Sequence, residues 1–91
     1  MLIELVSLKR NSNGSYGISK ILLNPRHIVS ITEDIEVGNL LSEGKIDIGI
    51  HRNAEFSRVR MNYNGDNSEI TVFGTPGQVQ SKISKKQILR G

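Results

Sequence analysis

The sequence predicts an α+β domain: five or six antiparallel strands in a strongly twisted sheet or small barrel, with one C-terminal helix. Three observations lead there. Val, Ile and Thr recur in short runs punctuated by Asn13-Gly14, Asn24-Pro25 and Asn64-Gly65, a strand-and-turn pattern. Two stretches alternate apolar and polar residues with the period of a strand, Lys45 to Arg52 and Arg58 to Tyr63. The stretch "GTPGQVQSKI", Gly74 to Ile83, carries the signature of a helix start. With 91 residues the chain makes one domain (1–91) and can bury one modest core.

In order, the first strand is read over Leu2 to Arg10, apolar at nearly every position of its first half, as expected if both faces are covered. Asn13-Gly14 turns the chain into a second strand, Tyr16 to Leu23, running back antiparallel. Asn24 caps and Pro25 opens a single helical or turn-like step. A third strand follows in "HIVSITED", with Val29 and Ile31 inward. Glu36 to Lys45 is the least regular part, its glycines breaking any pattern. The stretch 36–55 reads as an inserted loop and strand, the strand being "KIDIGIHR", with Ile46, Ile48 and Ile50 on one face. Val59, Met61 and Tyr63 share a face of the next strand; Asn64-Gly65 turns it, and Ile70 and Val72 mark the last one. The helix is expected over 76–89. Thr75 caps it, Pro76 sits at its first position, Gln78 completes a capping box, and Val79 and Ile83 share its apolar face. The expected core is Ile3, Leu5, Val6, Ile21, Leu23, Val29, Ile31, Ile46, Ile48, Ile50, Val59, Met61, Ile70, Val72, Val79 and Ile83.

Composition narrows the chemistry. Cysteine is absent, which removes disulfides, thiolate metal sites and thiol nucleophiles. Two histidines, His27 and His51, argue against a zinc site. No apolar run is long enough for a membrane helix, and "MLIELVSLKR" lacks a basic leader, so a cytoplasmic protein is expected. "GTPG" invites a phosphate-cradle reading, but a P-loop ends in Gly-Lys-Ser/Thr and a dinucleotide loop needs three spaced glycines; neither is present. No serine lies in a Gly-x-Ser-x-Gly elbow, and Glu33, Asp34 and Glu36 lack calcium-loop spacing. His27 reads as a partly exposed structural histidine. An enzyme is therefore not expected, nor is a cofactor.

Charge is more informative by position than by its net value of +3. Glu33 to Asp47 holds five acids and one base, whereas Lys82 to Arg90 holds four bases and no acid. Arg58 and Arg60 project from one strand face about 7 Å apart, a spacing that suits neighbouring phosphates or carboxylates. They equally suit cross-strand pairing with Glu69 or Asp47. Candidate binding residues are His51, Arg52, Arg58, Arg60, Lys82, Lys85 and Lys86. Four scattered aromatics, Tyr16, Phe56, Tyr63 and Phe73, do not form a base-stacking platform.

Two segments resemble the small flagellar FlbD-like (SwrD-type) proteins: "ILLNPRHIVSITED" (Ile21 to Asp34) and "VRMNYNGDNSEITVFGTPGQVQSKI" (Val59 to Ile83). The resemblance covers a little under half of the chain and rests on fold-forming residues. In that family the two parts are nearly contiguous, so about Glu36 to Glu55 stands as an insertion, and the first hairpin is longer. The resemblance implies a strand meander closed by a helix, in a non-enzymatic accessory or regulatory protein, and brings no catalytic residues.

The functional expectation is a small regulatory or adaptor protein that binds another protein, with Glu36 to Arg60 as contact region. Small viral or mobile-element proteins acting on a host machine fit the same description. A homodimer would hide strand edges. The alternative is a nucleic-acid binder using the basic strand and the basic C-terminal helix.

Overall fold

The structure is a computed structural model; it describes residues 2–46 and 53–90, the last six by their backbone only. Five strands form one antiparallel sheet: β1 (Ile3–Arg10), β2 (Tyr16–Leu23), β3 (Ile28–Glu33), β4 (Phe56–Tyr63) and β5 (Asp66–Phe73), in spatial order β2-β1-β5-β4-β3. Two helices complete it, α1 (Ile35–Ser42) and α2 (Pro76–Arg90). The sheet is open: β2 and β3 are its edges and do not pair with each other, so the barrel option falls away.

The two Asn-Gly turns work differently. Asn64 (φ 52°) and Gly65 (φ 86°) both occupy left-handed space between the closing pair Tyr63–Asp66, as a two-residue hairpin turn requires. In the first hairpin only Gly14 has positive φ; the Asn13 carboxamide oxygen instead accepts from Ser15 N–H (3.0 Å) and Ser15 Oγ (2.6 Å), an Asx turn. Register then follows through the whole hairpin, from Arg10–Tyr16 to Ile3–Leu23.

One face of the sheet, the inner face, carries the core. Ile3, Leu5, Leu23, Val59 and Val72 are buried there with Val79 of α2, and Ile21, Ile28, Ile31, Met61, Ile70 and Ile83 pack around them. The capping box forms as expected: Thr75 N–H donates to Gln78 Oε1 (2.8 Å) and Gln78 N–H to Thr75 Oγ1 (3.1 Å). Gly74 (φ 118°) makes the bend before it, its carbonyl accepting from the buried Ser57 Oγ at 2.8 Å. The phosphate-cradle idea loses most of its donors here: the N–H groups of Thr75 and Gln78 are spent on the box and Pro76 has none.

Three expectations need correction. Val29 is not core but 61% exposed. A bulge shifts register between Ile28–Met61 and Ser30–Arg60, so Val29 is the unpaired extra residue, and Ile28 and Ile31 both reach the inner face. β1 is not covered on both faces: Ile3, Leu5 and Ser7 are buried, while Glu4 on the opposite face is exposed and Val6 and Leu8 are half-buried. Tyr63 does share the face of Val59 and Met61, as expected, and lies exposed at the strand end, where His27 meets it edge-on at 4.7 Å. Finally, the stretch read as irregular holds α1, capped by Asp34, whose Oδ1 accepts from Val37 N–H at 3.2 Å. Its Leu41 is buried, as is Ile46 beyond it. The rest of the expected "KIDIGIHR" strand, including Ile48 and Ile50, lies outside the described residues.

Candidate contact surface

The second, outer face of the sheet is built from the alternate residues of each strand. Pairing across β1 and β2 sets Leu8 beside Ile18, Val6 beside Lys20 and Glu4 beside Leu22, with Arg10 beside Tyr16 at the far end. Leu8 also faces Thr71 of β5, which faces Arg58 of β4. Phe73 lies two residues beyond Thr71 on the same face and pairs with Phe56.

α1 packs against β4 and covers only that end. Asp34 fixes it there. Its side chain is 1% exposed; Oδ2 accepts from Thr71 Oγ1 at 2.9 Å, and Arg58 Nη2 stands 3.6 Å from Oδ1. Beside this, Phe56 is fully buried and meets Phe73 edge-on with centroids 5.8 Å apart. Over β1 and β2 no helix covers the sheet among the described residues. Leu2, Ile18, Leu22 and Phe73 are 51, 47, 60 and 45% exposed. Ile18, Leu22 and Phe73 form with the half-buried Val6 and Leu8 an apolar strip, which Lys20 enters between Ile18 and Leu22 and which Glu4 and Arg10 end along β1.

The basic candidates are not gathered into one site. Arg58 is occupied by carboxylates: besides Asp34, its guanidinium lies 4.0 Å from Glu36 and 3.9 Å from Glu69. Arg60 stands directly opposite Glu69 in the β4–β5 pairing. Lys82 is exposed on α2. That helix packs through Val79 on the inner face, whereas Arg58 and Arg60 flank Val59 on its strand and so project from the outer one. The strand arginines and the basic helix therefore occupy opposite sides of the sheet. His51 and Arg52 lie outside the described residues, and the side chains of Lys85 and Lys86 are outside them too.

A groove of about 460 Å³ runs between β3 and α2, lined among others by Ile28, Val29, Ile31, Pro76 and Ile83. Among the described residues its polar side chains are Ser30, Gln80 and Ser84.

The sequence contained the outer strip but disguised it. Leu8, Ile18 and Leu22 stand outside the expected core, but only the register brings them onto one face, the one that α2 does not cover. The helical spacing of Val37, Leu40 and Leu41 after Asp34 was available as a signal for α1; Gly38 obscured it.

No family model, curated protein or solved structure matches this chain. The resemblance to FlbD-like proteins rests on residues 21–34 and 59–83 alone. Among the described residues no helix is long and apolar enough to cross a membrane.

Proposed function

We propose that this chain is a small, non-catalytic regulatory or adaptor protein that works in the cytoplasm by protein–protein contact, through the outer face of its β1–β2 hairpin. The observation behind this reading is the set of large apolar side chains, Ile18 and Leu22 on β2 and Phe73 on β5, that stand in solvent on one face of the sheet around Val6 and Leu8 of β1. A small domain exposes apolar surface of that kind at a cost in solubility, and such surface marks contact sites. α1, most of it contributed by the inserted stretch Glu36 to Glu55, walls the strip on its β4 side. A viral or mobile-element protein that engages a host machine would use such a surface in the same way.

The nucleic-acid alternative draws on Arg60, Lys82 and the basic end of α2. It is the weaker reading, since its two halves face away from each other and Arg58 already has three carboxylate neighbours.

Affinity for mixed-sequence DNA and RNA at about 50 and 200 mM salt decides between the two. The expected result is no binding at the lower salt. Binding that weakens steeply with salt would overturn the protein-contact reading in favour of the basic one.

A further inference from the structure

The outer strip has a pattern that specifies its own partner. Along β1 the outer face reads Glu4, Val6, Leu8, Arg10, and along β2, antiparallel to it, Leu22, Lys20, Ile18, Tyr16. Along β1 an acid stands at one end and a base at the other, six residues or about 20 Å apart, with Val6 and Leu8 between them; on β2 Lys20 stands between Leu22 and Ile18. Neither Glu4 nor Arg10 forms an ion pair within the described residues. A strand face that is apolar in the middle and opposite in sign at its two ends, as on β1, is complementary to itself when turned end for end.

We propose that a second copy of this chain covers the strip, the two outer faces stacking with a two-fold axis level with Ser7, so that Glu4 of each copy meets Arg10 of the other. The proposal rests on the reading of this face as a protein-contact surface and names its occupant. In that arrangement Val6 stacks on Leu8 and Tyr16 on Leu22 of the partner, at the roughly 10 Å spacing of packed sheets. Lys20 lays its methylene stem on Ile18 of the partner and turns its ammonium outward from the edge strand. Edge-to-edge pairing through β2 is the poorer alternative. Lys20 sits in the middle of that strand, where a charge discourages strand addition.

Size sets the expected strength. Eight residues of strand make a strip about 26 Å long, and two strands with the neighbouring Phe73 make it about 14 Å wide. The footprint, about 400 Å² a side, is half of the roughly 800 Å² per partner of a standard interface. The dimer is therefore a weak one that forms at high concentration.

Sedimentation equilibrium from about 10 μM to 1 mM, spanning the range in which so small an interface dissociates, tests this on the full chain. The wild type should move from one 10.1 kDa chain toward twice that mass. Glu4→Arg alone and Arg10→Glu alone each place like charges together and should weaken association about tenfold or more. The double exchange, Glu4→Arg with Arg10→Glu, should restore it, since the pairs reform with their signs reversed. A wild type that stays monomeric throughout overturns the proposal. So does a dimer indifferent to the single exchanges, or one that the double exchange fails to restore. Such a result leaves the protein-contact reading standing if substitutions in the strip still abolish capture of a different protein.

Discussion

Asp34 and Arg58 meet on the outer face of the sheet, Arg58 Nη2 3.6 Å from an Asp34 carboxylate that is almost wholly buried. The same carboxylate caps α1 through Val37 N–H and accepts from Thr71 Oγ1 on β5. One side chain thus ties a helix start, two strands and a guanidinium together, and it turns Arg58 from a candidate phosphate ligand into a structural cation. Removing the carboxylate should uncouple α1 from the sheet. Asp34→Ala is expected to cost about 2–3 kcal/mol, the sum of a lost cap and a lost buried hydrogen bond. Asp34→Asn, which keeps an N-cap oxygen, should cost about 1 kcal/mol. Urea unfolding midpoints would read both.

Gly38 and Gly74 should respond in opposite directions to the same substitution. Gly38 lies inside α1 with open space where a Cβ would project. Gly38→Ala should therefore stabilise the protein by about 0.5–1 kcal/mol. Gly74 has φ 118°, and a Cβ there would come within 3.3 Å of Gln78 Oε1 in the capping box. Gly74→Ala should destabilise by about 1–3 kcal/mol. Thermal or urea melts of the two variants side by side provide the check.

The β3 bulge makes Val29 dispensable to stability. Its side chain stands in solvent, so Val29→Ala should change the unfolding free energy by no more than about 0.5 kcal/mol. Leu5→Ala, at a site 1% exposed among the core residues of β1, should cost about 2–5 kcal/mol. Comparable losses at both positions would mean that the bulge is misplaced.

Thr75 belongs to the capping box and not to an anion site. Thr75→Ala should lose about 1 kcal/mol of stability, whereas inorganic phosphate at about 10 mM should leave the melting temperature of the wild type unchanged. A phosphate-dependent rise in melting temperature would return the N-terminus of α2 to the list of binding sites.

Much of this fold was legible in the residues. Asn-Gly at 64–65 has one common structural use between alternating strands, and Thr75, Pro76 and Gln78 together specify a helix start, so β4, β5 and α2 could be read directly. Val29 could not, because alternation presumes an unbroken ladder and a bulge adds a residue that leaves no mark in the pattern. α1 was hidden by Gly38, which lowers helix propensity without preventing a capped helix from packing on β4. The contact surface was hidden for a different reason. Sequence shows that Leu8, Ile18 and Leu22 are apolar, but only the strand order and the position of α2 show that nothing among the described residues covers them.

The claim that the outer face of the β1–β2 hairpin is a protein-contact surface is tested most directly by substituting its two most exposed apolar strand residues on β2. The Ile18→Lys, Leu22→Lys double variant replaces two exposed side chains and should keep the wild-type melting temperature within a few degrees, about the effect of surface changes on a domain this small. Wild type and variant, each immobilised, would be exposed to soluble extract of the cells that make the protein, and of any host it enters, and the retained proteins identified and quantified. The account predicts a protein held by the wild type and lost by the variant, with Arg60→Ala as a control that keeps it. Identical retention by wild type and variant would contradict the account.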